Sequence, residues 1–105
     1  MIDHSAPFGR STPWGIADDV RQIAPGIWSV STPSHGGIYL ERQALARIPK
    51  RHQDYAAQWS HGMGSAWFEE DCAVACVVVA FPEHFTPENV ASAQGVVANW
   101  IDKAA

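Results

Sequence analysis

The sequence predicts an α+β domain: a three-stranded antiparallel meander packed against two main helices, near residues 69–81 and 87–102. Three observations predict it. Runs of strand-favouring residues around Val20, Trp28 and Tyr39 are separated by Pro25-Gly26 and by Pro33-Ser34-His35-Gly36-Gly37, both strong turn signals. The ten residues from Cys72 to Phe81 carry no polar side chain beyond two thiols, and they follow Glu69-Glu70-Asp71, acids that suit a helix N-terminus. Thr86-Pro87-Glu88 then combines an N-cap hydroxyl, a proline at the first helical position and an acid in the first turn.

In chain order, Met1 to Pro13 is rich in Ser, Pro and Gly and reads as a flexible arm, with residues 14–105 as a single α+β domain anchored at Trp14-Gly15. Ala17 to Ala24 is the first expected strand, Ile27 to Thr32 the second and Ile38-Tyr39-Leu40 the third. Glu41 to Ile48 suits one or two helical turns, ended by Pro49. Lys50 to Ser65 has no apolar period and fits either a long loop or a short helix plus a loop. Val77-Val78-Val79 argues for a strand, but the length of the apolar run, its alanines and its acidic start favour a helix. In the last helix Val90, Ala93, Val97, Trp100 and Ile101 recur at three- and four-residue steps. Residues 67–81 should centre the core, with Ile27 or Trp28, Val30, Ile38 and Trp100 against them.

A chain of 105 residues, 47% of them apolar, can bury one sizeable core without needing disulfides. Five tryptophans are many for this length; most should fill the core, and surplus indole surface would serve binding or homodimerisation. The net charge of −4 offers no electrostatic footprint for direct nucleic-acid binding. The charge is uneven: Arg42, Arg47, Lys50 and Arg51 form a basic island in an otherwise acidic chain. No basic-then-apolar leader follows Met1 and no apolar run is long enough to span a membrane, so a cytoplasmic protein with reduced thiols is expected.

His35 is the first candidate for chemistry. It sits between a proline turn and two glycines, which leave room beside the imidazole for a ligand or another backbone. A neutral imidazole offers one donor and one acceptor, for general base catalysis or for pinning the turn to carbonyls. His-Gly-Gly also resembles the oxyanion loop of lipases, but no Gly-x-Ser-x-Gly elbow accompanies it. Glu69, Glu70 and Asp71 could bind a partner or orient His35, although on a helix they would diverge by about 100° each. Cys72 and Cys76 stand in an apolar run, where a thiol behaves as a small hydrophobe. A nucleophilic Cys72 with His35 as its base is the enzymatic alternative. No metal or cofactor set is evident, and His4, His52, His61 and His84 lie in polar or turn contexts that suit solvated side chains.

Ser11-Thr12-Pro13-Trp14-Gly15, Pro25-Gly26-Ile27, Thr32 to Leu40, Trp67-Phe68-Glu69-Glu70-Asp71-Cys72 and Phe81-Pro82-Glu83-His84-Phe85 together resemble an uncharacterised domain family encoded by proteobacterial phages, plasmids and integrated elements. The resemblance covers roughly residues 11–101 and carries no activity. It implies a mobile-element accessory protein. The favoured expectation is a non-enzymatic inhibitor that occupies a surface of a host protein or nucleoprotein effector complex, in the manner of anti-CRISPR proteins. Glu69, Glu70, Asp71, Glu83 and Glu88 are the expected contact residues. The alternatives are a small enzyme using His35 with Glu69, Glu70, Asp71 or Cys72, and a structural or oligomerising module.

Overall fold

The computed structural model describes residues 1–103, so the last two positions of the expected 14–105 domain lie outside the described residues. Over the described residues the fold is α+β, with six strands in two sheets. A small hairpin pairs β1 (Ser11–Thr12) with β2 (Gly15–Ile16). The main sheet is a four-stranded meander of β3 (Asp19–Ala24), β4 (Ile27–Ser31), β5 (Gly36–Leu40) and β6 (Trp67–Glu69). The three expected strands are present and in the expected order. Gly26 makes the first tight turn at φ 80°, a conformation that strongly favours glycine.

The fourth strand corrects the expected three-stranded sheet. Trp67, Phe68 and Glu69 were expected beside or within a helix, yet they pair antiparallel with Tyr39, Ile38 and Gly37. Large aromatics suit a pleated, half-buried surface, and β5 offers them an unpaired edge. The acids do not open the helix. Glu69 ends the strand, its carboxylate accepts from the backbone N–H groups of Asp71, Cys72 and Ala73, and α3 follows only at Val74–Ala80.

Two further helices precede β6: α1 (Arg42–Leu45) and α2 (Lys50–Ala57), so the patternless 50–65 stretch is a short helix plus a loop. The last helix, α4 (Pro87–Val96), begins as expected, with Thr86 Oγ1 accepting from the Asn89 N–H at 3.2 Å. It continues as a π-type turn over Val97–Ile101. Among the described residues there are therefore four α-helices in place of the expected two, and the first of the expected pair starts later than residue 69.

Strand alternation sends neighbouring residues to opposite faces. Ile27, Ile38, Leu40 and Phe68 face α3 and α4 and form the main core with Cys76, Val77, Phe81, Val97 and Ile101. Trp28, Val30, Val20 and Trp67 point the other way and build a second cluster. Trp28 and Val30 thus do not join the main core. Trp100 does not either: it is 69% exposed, because Val97 and Ile101 occupy the inward face of its turn.

The second cluster is covered by residues 1–13. Asp3 N–H donates to the Val20 carbonyl and Val20 N–H to the Met1 carbonyl. Phe8 lies edge-on to Tyr39 and Trp67, 5.0 Å from each ring centre. His52 departs from expectation as well. It is buried, with Nε2 2.7 Å from Asp102 Oδ1, rather than solvated. The basic island is largely matched within the chain: Arg47 pairs with Glu83, Lys50 with Asp54 and Arg51 with Asp102. No helix among the described residues is long and apolar enough to cross a membrane.

Candidate functional site

The glycine pair after His35 makes room for protein rather than for a ligand. A Cβ on Gly37 would meet the Phe68 carbonyl oxygen of β6 and come within 2.7 Å of the Trp14 ring. A Cβ on Gly36 would sit 2.8 Å from a Glu70 carboxylate oxygen and 2.9 Å from the Val30 carbonyl. Gly37 therefore lets β6 pair and lets Trp14 lie flush on the sheet, where it also meets Trp67 edge-on at 5.9 Å. The preceding turn is closed by Thr32: its N–H and its hydroxyl both donate to the His35 carbonyl at 2.7 Å. The His35 side chain is left exposed.

A second wall comes from the loop after α2. Ser60 is fully buried; its one hydroxyl proton goes to the Gly64 carbonyl, 2.6 Å from Oγ, with the Ala57 carbonyl 3.1 Å away, closing the loop on itself. This closure places His61 at φ 50°, the left-handed region that non-glycine residues rarely adopt, with Gly62 and Gly64 also at positive φ. Trp14 Nε1 donates to the Trp59 carbonyl at 3.1 Å and ties the loop to the β1–β2 hairpin. Trp59 is 48% exposed.

These walls enclose an open pocket of about 290 Å³, lined by Trp14, His35, Trp59, His61, Glu69 and Asp71. Two places that the sequence singled out, the His35 turn and the Glu69–Asp71 acids, thus border one cavity. Trp14, Trp59 and His61 complete it. The signal for His61 was in the chain, since Ser60-His61-Gly62 repeats the Ser34-His35-Gly36 pattern.

The other candidates lie elsewhere. Glu70 folds towards Gly36 and does not line the pocket. Cys72 is half-buried and is not in the lining either. Tyr55 is held above the ordinary phenol range by burial first and by hydrogen bonding with Cys72 second. Burial pushes the Cys76 thiol up to about 12, which leaves it protonated and unreactive at neutral pH. Glu83 and Glu88 lie beyond the far end of α3, roughly 10 Å of helix away from Asp71. Arg47 at 2.9 Å holds the Glu83 carboxyl below its ordinary range. Among the described residues, no group of three or more His, Cys, Asp or Glu is placed to hold a metal ion.

The domain of unknown function DUF7007 matches residues 7–104. The chain belongs to the DUF7007 family. No curated protein and no solved structure matches it. The DUF7007 match spans the residues that line the pocket and the sheet that carries them.

Proposed function

We propose that this DUF7007 domain is a non-enzymatic binding protein of a mobile genetic element, which inhibits a host effector complex by occupying one of its surfaces. The observation that carries this reading is the pocket lining: two indoles and two carboxylates, with no lysine or arginine among them. Indoles with a wet edge are typical anchors of protein interfaces, and acids beside them give the surface a sign. The resemblance of the Ser11–Gly15, Thr32–Leu40 and Trp67–Cys72 islands to proteins of phages and plasmids supports the mobile-element setting. The test is to mix the purified protein with purified RNA-guided nuclease complexes. Co-elution with loss of cleavage is expected; complexes that cleave normally and elute apart would remove the reading.

A small enzyme is the competing reading, favoured by two imidazoles and two carboxylates in one pocket. Against it, both Glu69 oxygens already accept backbone N–H groups, which suits a structural brace better than a proton shuttle. Loss of an activity in His35→Ala at an unchanged melting temperature would reverse this preference.

A further inference from the structure

We infer that the pocket recognises one guanidinium group, the side chain of an arginine on the partner protein; this deepens the binding reading above and rests on it. The hydrogen-bonding groups left unused in the pocket define the ligand it fits. The Asp71 carboxylate receives no hydrogen bond or ion pair among the described residues, and its side chain is exposed. Glu69 Oε1 accepts two N–H groups and is saturated, whereas Oε2 accepts only that of Asp71 and keeps one lone pair. The rings of His35 and His61 make no hydrogen bond among the described residues. Trp14 has already given its N–H to Trp59. The cavity therefore presents unused carboxylate acceptors with no lysine or arginine beside them, flanked by imidazoles that each offer one donor and one acceptor.

Among the described residues no lysine or arginine lines the pocket to neutralise those carboxylates, and Arg42 and Lys103, which make no ion pair, lie outside the lining. Arg21, Arg47, Lys50 and Arg51 are each paired with acids elsewhere, and Arg10 donates to the Ala17 carbonyl. An anion entering the pocket would meet two carboxylates and no lysine or arginine. A guanidinium has five N–H donors, no acceptor, a permanent charge and a flat, weakly hydrated face that stacks on indoles. An ammonium has the charge without the plane. The volume of about 290 Å³ admits one such side chain but not a folded peptide segment. The closed Ser60 loop holds Trp59 and His61 ready before the ligand arrives, which lowers the ordering cost of binding.

The experiment titrates N-acetyl-arginine methylamide, N-acetyl-lysine methylamide and inorganic phosphate into the protein and follows the indole N–H resonances of Trp14 and Trp59. The arginine compound should shift both saturably, the lysine compound more weakly, and phosphate neither. Asp71→Asn should weaken the arginine titration on the order of tenfold, and Trp59→Ala by about fivefold. Both variants should keep the wild-type circular dichroism spectrum. Resonances unmoved by the arginine compound, equal shifts with phosphate, or an Asp71→Asn variant that titrates like wild type would each overturn the inference. Arginine binding without inhibition of any nuclease complex would keep the pocket and remove the proposed function. Inhibition that survives intact in Asp71→Asn and Trp59→Ala would keep that function and remove the pocket's role.

Discussion

The indole Nε1 of Trp14 donates to the backbone carbonyl of Trp59 at 3.1 Å, a contact that spans forty-five residues. It joins the two parts of the pocket wall that share no strand pairing, the β1–β2 hairpin and the Ser60 loop. Trp14 is itself seated by Gly37 below and Trp67 beside it, so one ring transmits the position of the sheet to the loop.

Trp14→Phe keeps an aromatic ring and removes only the N–H donor and part of the ring surface. A single neutral hydrogen bond contributes about 1 kcal/mol net, and urea denaturation should register a loss of that order. The larger effect should be local. Amide exchange at Met63, whose N–H donates to the Ser60 carbonyl, should quicken while exchange in β4 stays unchanged. A variant with wild-type loop exchange would show that the Ser60 closure alone holds the loop.

The glycines separate into those that packing requires and those it does not. Gly37→Ala drives a methyl into the Phe68 carbonyl and the Trp14 ring, and overpacking of this kind costs roughly 1–3 kcal/mol. Gly95, inside α4, would place a Cβ with nothing within 4 Å. Gly95→Ala should therefore stabilise by about 0.5–1 kcal/mol, through helix propensity and a less flexible unfolded chain. Thermal or urea unfolding of the two variants should move in opposite directions from wild type. Equal shifts would contradict the assignment of Gly37 to close approach.

The meander was legible because its turns are written in Pro, Gly and Ser, and the last helix because its cap and period coincide. β6 was not, since its partner β5 is remote in sequence and Glu69-Glu70-Asp71 imitates a helix start. Glu69 alone of the three braces backbone N–H groups, and it does so from the end of a strand and across a turn. His52 lay in a polar stretch without apolar period, and the acid that engages it is fifty residues away. The pocket was half legible for the same reason. His35, Glu69 and Asp71 sit in patterned segments, whereas Trp59 and His61 occupy a loop whose shape is set by one buried serine hydroxyl.

Glu69 is the brace on which the start of α3 depends. Glu69→Ala leaves the N–H groups of Asp71, Cys72 and Ala73 without their acceptor. Hydrogen bonds to a charged group contribute about 1.5–3 kcal/mol, and solvent reaching the exposed Asp71 N–H offsets part of that. A net loss of about 2 kcal/mol is expected in urea unfolding. Glu69→Gln can still place its carbonyl where Oε1 stands and accept from Cys72 and Ala73, so it should lose about half as much. If Ala and Gln variants were equally destabilised, the charge rather than the acceptor geometry would carry the brace.

Asp102 closes the C-terminal turn onto α2 by accepting from Arg51 Nε at 3.1 Å and lying 2.7 Å from His52 Nε2. Arg51 first, and His52 second, hold its carboxyl below the ordinary carboxylate range. A folded-state value depressed below the unfolded one means that the unfolded chain takes up the proton first as pH falls. The stabilisation is thus fully present above the unfolded aspartate value of about 4 and is lost as pH drops through the lower folded value. Asp3, Asp19 and Glu83 are shifted in the same direction by their own partners, so wild-type stability should fall overall on acidification. Asp102→Asn isolates one contribution. The variant should unfold at lower urea than wild type at pH 7, and the gap should narrow as both are moved below about pH 4. A gap that stays constant from pH 7 to pH 3 would show that Asp102 acts through packing and neutral hydrogen bonds, and that its charge contributes nothing to holding the turn.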